Sequence, residues 1–283
     1  MEMQGAGATS GLKTVRVGGL RLAYRELGQG PPVLLLHGWP TSSFLWRAVM
    51  PAIARANRAV ALDLPGFGAS DKPLDSPYNF AFFTDALDGF LRTLDLDAVG
   101  LAVHDLGGPI GLYWALHRAK RVTRLALLNT LLYPEFSEAV LEFVRACGTP
   151  GVRERLTSPE GLEAVLRLGL ADESRFTVEA LAGVREPFAT DESRLVLARA
   201  GIGLEPGGFD EIARLLPELR VPVRVVYGAR DRILPDVAET MARVKRDVPQ
   251  AEVTALPDCG HFLQEEAPQR VGELLAEFFG GNA

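Results

Sequence analysis

Several features that often decide the class of a protein are scarce in this sequence. Only two cysteines occur among 283 residues, so neither a disulfide framework nor a metal cluster is expected. No apolar run approaches the length that crosses a bilayer. Acidic residues outnumber basic ones, 36 against 30, and the net charge of -6 provides no basic surface for nucleic acid or anionic membranes. These absences indicate a cytoplasmic protein that binds neither nucleic acid nor membranes.

The composition is that of a globular protein. Residues are 47% hydrophobic and 23% charged, and a chain of this length can bury a sizeable core. Residues 1–11 are rich in Gly, Ala, Ser and Thr and lack a basic start. We therefore expect a loose N-terminal tail and not a signal peptide.

Short apolar or alternating segments between turn residues predict eight strands. The first two are expected to pair antiparallel through Gly18-Gly19. Helical patterns lie between the later strands, including one that starts after Thr41 or Ser42 and runs to Ile53. This alternation predicts an α/β fold, a mostly parallel eight-stranded sheet with helices on both faces. The predicted strands are 14–17, 20–27, 33–36, 59–62, 99–103, 125–128, 223–227 and 252–256.

The alternation stops between residues 133 and 216, where only helical patterns occur. Ser158-Pro159 and Thr190-Asp191 are typical helix starts in this stretch. We therefore predict an inserted, all-helical cap at 133–216. The sheet core would consist of residues 1–132 and 217–283.

The most informative stretch is the strand at 99–103, which turns through Asp105 into a helix that opens with Gly107-Gly108. A tight strand-to-helix turn strains the residue at its apex and needs small neighbours, as in the G-x-S-x-G nucleophile elbow. Here the apex is a carboxylate, and Val103 replaces the first glycine. Backbone N–H groups at a helix start keep a carboxylate ionised, so it can attack carbon. The alternative is that Asp105 only caps the helix.

Asp231 and His261 each follow a later predicted strand. The carboxyl ends of parallel strands share one sheet edge, and the chain order matches nucleophile, acid and base in the hydrolase fold. We expect His261 to activate water and Asp231 to fix the tautomer of the histidine. The alternatives are a surface histidine and a turn-forming aspartate.

Four blocks carry a family resemblance. They occupy residues 37–46, 63–73, 104–108 and 260–265, and together they resemble the branch of α/β-hydrolases that contains the haloalkane dehalogenases and the epoxide hydrolases. The similarity covers nearly the whole core and is weak in the cap. It implies the α/β-hydrolase fold with an inserted cap.

The resemblance also implies a mechanism. Asp105 would displace a leaving group from an sp3 carbon, and water activated by His261 would hydrolyse the resulting alkyl ester, with Asp231 behind the histidine. Backbone N–H groups of Trp39 and Leu106 would form the oxyanion hole. The partners would be a small-molecule substrate and water, with no cofactor and no metal, in a monomer or a homodimer.

The chain departs from the family where the leaving group is held. Dehalogenases have a tryptophan at the position of Leu106, whereas Trp39 stands where some have an asparagine and offers one indole N–H. Epoxide hydrolases use two cap tyrosines, and only Tyr133 lies near the cap. Arginines that bind haloacids are replaced by Leu106 and Pro109. The family's alternative acid position is Asn129, which leaves Asp231 as the acid.

These departures favour a neutral, apolar substrate. The first hypothesis is a haloalkane dehalogenase-like hydrolase, the second an epoxide hydrolase, and the third a ligand-binding member of the fold with little turnover. For the apolar residues, core packing is the alternative to a role in the pocket. The predicted pocket residues are His37, Leu132, Tyr133, Phe136 and Phe262.

Overall fold

The computed structural model describes residues 11–281 and contains one eight-stranded sheet. The strand order is β1-β2-β4-β3-β5-β6-β7-β8; β2 pairs antiparallel with β1 and β4, and every other pairing is parallel. All eight predicted strands are confirmed. Residues 1–10 of the predicted tail lie outside the described range. The strands are β1 Lys13–Val17, β2 Leu20–Leu27, β3 Pro32–Leu36, β4 Arg58–Leu62, β5 Val99–His104, β6 Val122–Leu128, β7 Val223–Gly228 and β8 Glu252–Leu256.

Both faces of the central strands β3, β4 and β5 are buried, as their continuous apolar runs predict. Successive side chains of β3 alternate between two hydrophobic clusters. Leu34 and Leu36 belong to the larger cluster, which also includes side chains of α2 and α3. Val33 and Leu35 belong to the second cluster, with side chains of α1 and α12. The helices are α1 Met50–Ile53, α2 Phe80–Thr93, α3 Gly107–His117, α4 Glu138–Gly148, α5 Val152–Leu156, α6 Pro159–Gly169, α7 Val178–Arg185, α8 Asp191–Ile202, α9 Pro206–Leu215, α10 Val237–Asp247, α11 Leu263–Glu266 and α12 Pro268–Gly280.

The helix predicted after residue 42 is not continuous in the structure. The expected continuous helix up to Ile53 is a 3-10 turn at Ser43–Trp46 followed by the separate, short α1. Ser42 does cap the turn, since its hydroxyl accepts from the Phe44 amide. The carboxylate of Asp63, from the loop after β4, accepts from the Ser43 amide at 2.7 Å. This bond satisfies an amide at the start of the turn. The helix is interrupted at Pro51 of α1, since proline has no backbone N–H and its ring clashes with the carbonyl four residues earlier.

Residues 133–216, called the helical segment below, contain α4 to α9 and, in the described structure, no strand. Ser158 and Thr190 cap α6 and α8 as predicted, because their hydroxyls accept from Gly161 and Ser193 amides. The division into a core and a cap remains a prediction. None of the helices between residues 11 and 281 has the length and apolar character to cross a membrane.

Candidate active site

Asp105 lies at the turn between β5 and α3 with φ of +51°. This left-handed conformation is unfavourable for a residue with a β-carbon, so the surrounding bonds must hold it. The Asp105 amide donates to the Asn129 carbonyl at 3.1 Å, and its own carbonyl accepts from the Gly108 amide at 2.9 Å and the Thr130 hydroxyl at 2.6 Å. The sequence-predicted elbow is therefore present, with a carboxylate at its apex.

Glycine at position 38 lets the neighbouring loop approach this apex. A β-carbon there would overlap the carboxylate of Asp105. The close approach brings the Trp39 amide to 2.6 Å from Asp105 Oδ1, and the neighbouring Leu106 amide helps to lower the pKa of Asp105. Both predicted backbone donors therefore face the candidate nucleophile.

Asp231 is held by four donors. His261 Nδ1–H donates to its Oδ2 at 2.8 Å, and Asn129 Nδ2 donates to the same oxygen at 2.7 Å. The other oxygen accepts from the Ile233 and Leu234 amides, each at 2.8 Å. Burial opposes the charged form, but the charge of His261 and these bonds hold the pKa of Asp231 below its usual range. The carboxylate is thus ionised and fixes the histidine ring.

His261 lies between two carboxylates. Its Nε2 is 3.5 Å from Asp105 Oδ2, and its side chain is fully buried. Burial disfavours the imidazolium, yet Asp231 and Asp105 outweigh burial and raise the pKa of His261 to about 10. The interaction with His261 in turn keeps the pKa of Asp105 below its ordinary value, although burial acts in the opposite direction. The resting site is therefore an aspartate, imidazolium and aspartate array.

This array predicts a pH-dependent stability. The pKa of His261 rises from 6.5 to about 10 on folding, so its stabilising contribution is complete below pH 6.5 and is lost as the pH rises through about 10. Between these values, the free energy of unfolding should fall with pH more steeply for the wild type than for His261→Gln. Urea unfolding across this range measures both slopes. Equal slopes in the two proteins would contradict the charged resting histidine.

The arrangement is suited to nucleophilic and acid-base chemistry. Asp105 is a buried, ionised carboxylate, and His261 can exchange a proton on the side that faces it. Among residues 11–281, no group of three or more His, Cys, Asp or Glu side chains is placed to hold a metal ion.

His104 contacts both the backbone and the ring of the candidate base, His261. Its Nε2–H donates to the His261 carbonyl at 2.9 Å, and the two ring centroids are 4.7 Å apart. Burial, together with the charge of His261, lowers the pKa of His104 to about 3. His104 is consequently neutral beside the charged ring.

The two side-chain donors considered for the leaving group are engaged elsewhere. The Trp39 indole N–H donates to the Leu197 carbonyl of α8 at 3.1 Å, so the expectation that it faces a leaving group is corrected. The Tyr133 hydroxyl donates to Asp247 at 2.8 Å. Of Trp39, only the backbone N–H is directed at Asp105.

Three predicted pocket residues line one cleft. Leu132, Tyr133 and Phe136 lie in the loop between β6 and α4. The cleft that they line is also bordered by the start of α4 and by α10. Thr130 and Leu234 also line the cleft, and they bond to Asp105 and Asp231 respectively. The cleft therefore reaches residues that directly support the candidate triad.

The other two predicted pocket residues are absent from the lining of this cleft. His37 Nδ1–H donates to the Gly38 carbonyl at 2.9 Å, and its Nε2 accepts from the Leu64 amide at 3.1 Å. The Phe262 ring is fully buried and packs on His261, with centroids 5.0 Å apart. Both residues support loops around the site.

Sequence reasoning missed two supporting residues. From the sequence, Asn129 was interpreted only as the family's alternative acid position, occupied here by a residue that is not an acid. In the structure, its side-chain amide donates to Asp231. Glu266 was not considered, although it is buried beside the His261 loop and bonds to the Gly260 amide at 2.6 Å. Glu266 lies one residue beyond the 260–265 block, and no sequence signal indicated that it has a different role from its neighbour Glu265.

Comparison with known proteins identifies the family. A family model described as alpha/beta hydrolase fold matches residues 31–161. Haloalkane dehalogenase 2 of Mycobacterium tuberculosis (strain ATCC 25618 / H37Rv) is 31% identical over 269 residues, which cover 92% of each chain. The chain belongs to the haloalkane dehalogenase and epoxide hydrolase branch of the α/β-hydrolases. This membership makes the protein a hydrolase.

Solved structures of the same branch superpose on the hydrolase over almost its whole length. Haloalkane dehalogenase DbeA from Bradyrhizobium elkani USDA94 has a TM-score of 0.83 and 29% identity, with 95% of this chain and 97% of that chain covered. Epoxide hydrolase CorEH has a TM-score of 0.80 and 25% identity, with 95% and 98% covered. The predicted fold class is confirmed.

Proposed function

We propose that this hydrolase is haloalkane dehalogenase-like and works through a covalent alkyl ester on Asp105. One observation carries the proposal: Asp105 Oδ1 is held by the Trp39 amide at 2.6 Å, while Oδ2 faces His261 Nε2 at 3.5 Å. Oδ2 attacks the substrate carbon, and the halide leaves with the electrons of the broken bond. Oδ1 becomes the ester carbonyl oxygen, already bound to the Trp39 N–H that stabilises it when water adds.

Ester formation prepares the second step. It removes the negative charge of Asp105, which is one of the causes of the raised pKa of His261, so the imidazolium releases its proton to solvent. Neutral His261 then takes a proton from water as the oxygen of that water adds to the ester carbonyl. Collapse of the intermediate releases the alcohol and restores both Asp105 and the imidazolium. The sum is haloalkane plus water giving alcohol, proton and halide.

The substrate we propose is small, neutral and apolar. Leu132, Phe136 and Leu234 give the cleft apolar walls, and Glu135 and Asp236 add acidic groups to its lining. The candidate triad itself carries two carboxylates against one imidazolium. An anionic substrate would therefore meet net negative charge in the cleft and at the candidate triad.

Epoxide hydrolysis is the second candidate. The observation that favours it is the engagement of the Trp39 indole with Leu197, which leaves a departing halide without that donor. CorEH, an epoxide hydrolase, is also 25% identical over 95% of this chain. In this reaction the alkoxide remains attached to the substrate and takes up the proton that the His261 imidazolium releases. The same ester on Asp105 is then hydrolysed by water, whose proton restores the imidazolium.

The test traps the ester in His261→Phe, which lacks the base for the second step. We expect exposure to 1-bromobutane or 1-iodobutane to add the mass of the haloalkane minus hydrogen halide, located on Asp105 by peptide mapping. With 1,2-epoxybutane, a gain of the whole epoxide would assign the second candidate. The control is the double variant Asp105→Ala, His261→Phe, which should gain no mass. A folded His261→Phe protein that gains no mass with any of the three compounds would count against the ester mechanism.

A further inference from the structure

The carboxyl-terminal end of α6, residues 167–172, contacts the loop that carries the candidate base. We call this stretch the α6 end. The Gly169 carbonyl accepts from the His261 amide at 2.7 Å and from the Phe262 amide at 3.3 Å. A β-carbon on Gly169 would overlap the Phe262 ring, and one on Gly260 would overlap the Gly169 carbonyl. Glycine at both positions therefore permits direct backbone contact between the helical segment and the loop that carries His261, which we call the base loop.

The same α6 end is bound by the loop that carries the candidate acid. Arg232 follows Asp231 directly, and its guanidinium donates to three carbonyls of the α6 end, at distances of 2.6, 3.0 and 3.1 Å. A cation at a helix C-terminus also interacts favourably with the helix dipole. The accepting carbonyls are those of Arg167, Leu168 and Leu170.

Glu266 connects the α6 end to the base loop a second time. The residue is 8% exposed. One carboxylate oxygen accepts from the Gly260 amide at 2.6 Å and the other from the Asp172 amide at 3.0 Å. Gly260 directly precedes His261, and Asp172 ends the α6 end. A buried carboxylate with one backbone donor on each side is a strong, directional bridge.

We propose that Arg232 and Glu266 are positioning residues for the Asp231–His261 pair and that they act by fixing it to the α6 end. The inference rests on the proposed ester mechanism. Ester formation depends on Asp105 and the Trp39 amide, which this bridge does not contact, whereas ester hydrolysis depends on where His261 Nε2 points. Displacement of a catalytic group by about 1 Å can cost about 100-fold in rate. Loss of the bridge should therefore slow hydrolysis and leave ester formation intact.

The experiment compares Glu266→Gln with Glu265→Gln. A glutamine at 266 can accept from one backbone amide, but its own NH2 group meets the other. Glu265 lies on the same short helix and pairs with Arg47 at 2.6 and 2.9 Å, so it is the matched control. With 1-iodobutane as the probe, we expect Glu266→Gln to accumulate the Asp105 ester during turnover and to lose about tenfold or more in kcat. Glu265→Gln should behave as the wild type.

Arg232→Leu provides a second, independent variant, since Arg232 is exposed and substitutions of exposed residues usually change stability little. Arg232→Leu should also accumulate the Asp105 ester. Its result decides the test of this inference if Glu266→Gln does not fold. Accumulation in His261→Phe but in neither positioning variant would overturn this inference alone. A fall in kcat without ester accumulation would overturn it as well, because a merely structural role predicts that pattern. No ester in His261→Phe would instead mean that the proposed function has failed.

Discussion

The variant Asp105→Ala is expected to lose turnover of 1-bromobutane and 1,2-epoxybutane by about 10⁴-fold or more. The reason is that the proposed mechanism forms the covalent ester on this carboxylate, and the backbone N–H groups beside it cannot act as a nucleophile in its place. Product release followed by gas chromatography measures the loss. Intact mass spectrometry should show no adduct in the same samples.

A half-buried carboxylate remote from the triad serves as the control for this substitution. Asp88 is bonded to the Trp114 indole at 2.9 Å and to Arg118 and Arg121. Asp88→Ala should lower the melting temperature, because it leaves buried and half-buried donors without their partner, but it should keep turnover within a few-fold of the wild type. An Asp105→Ala protein that keeps the activity of Asp88→Ala would exclude Asp105 as the nucleophile.

The variant Asp231→Asn is expected to lower kcat by about 10⁴-fold, the scale seen when a triad acid becomes an amide. The substitution removes the charge that stabilises the imidazolium and no longer selects the tautomer of His261. Ester formation needs neither function, so the Asp105 ester should accumulate. Rapid-quench mass spectrometry on a single turnover separates the two steps.

Asn129 allows a sharper version of this test. Its Nδ2 is 2.7 Å from Asp231 Oδ2, so a carboxylate placed at 129 lies close to the same point. The exchange Asn129→Asp with Asp231→Asn keeps both residue types and moves the charge. We expect the double variant to recover part of the activity lost in Asp231→Asn. A double variant that is no better than the single one would show that the direction of the carboxylate, and not its charge, limits the reaction.

Local sequence was sufficient for most of the architecture. Two strands, Leu20–Leu27 and Glu252–Leu256, begin and end where the alternation predicts, because a strand's pattern depends on which face of the sheet is buried and repeats every second residue. The helix expected after residue 42 is interrupted because Pro51, at the start of α1, has no backbone N–H to donate to the preceding turn, a signal that apolar periodicity does not register.

The candidate triad could also be predicted from the sequence. Asp105, Asp231 and His261 each lie on the loop after a strand, and parallel topology brings such loops to one sheet edge whatever the details of packing. The structure places His261 Nδ1 2.8 Å from Asp231 and Nε2 3.5 Å from Asp105. Topology determined that these groups would meet, and this needed only the order of the strands.

The direction of individual donors was decided by tertiary structure alone. The Trp39 indole bonds to Leu197, 158 residues away, and the Tyr133 hydroxyl to Asp247, 114 residues away. Glu265 and Glu266 are adjacent and identical in type, yet one pairs with Arg47 and the other bridges the α6 end to the base loop. The sequence by itself determined the sheet, the elbow and the three loops that meet, because these depend on local periodicity and strand order. Which hydrogen bond each polar side chain makes depends on how distant segments pack, and only the folded chain specifies that.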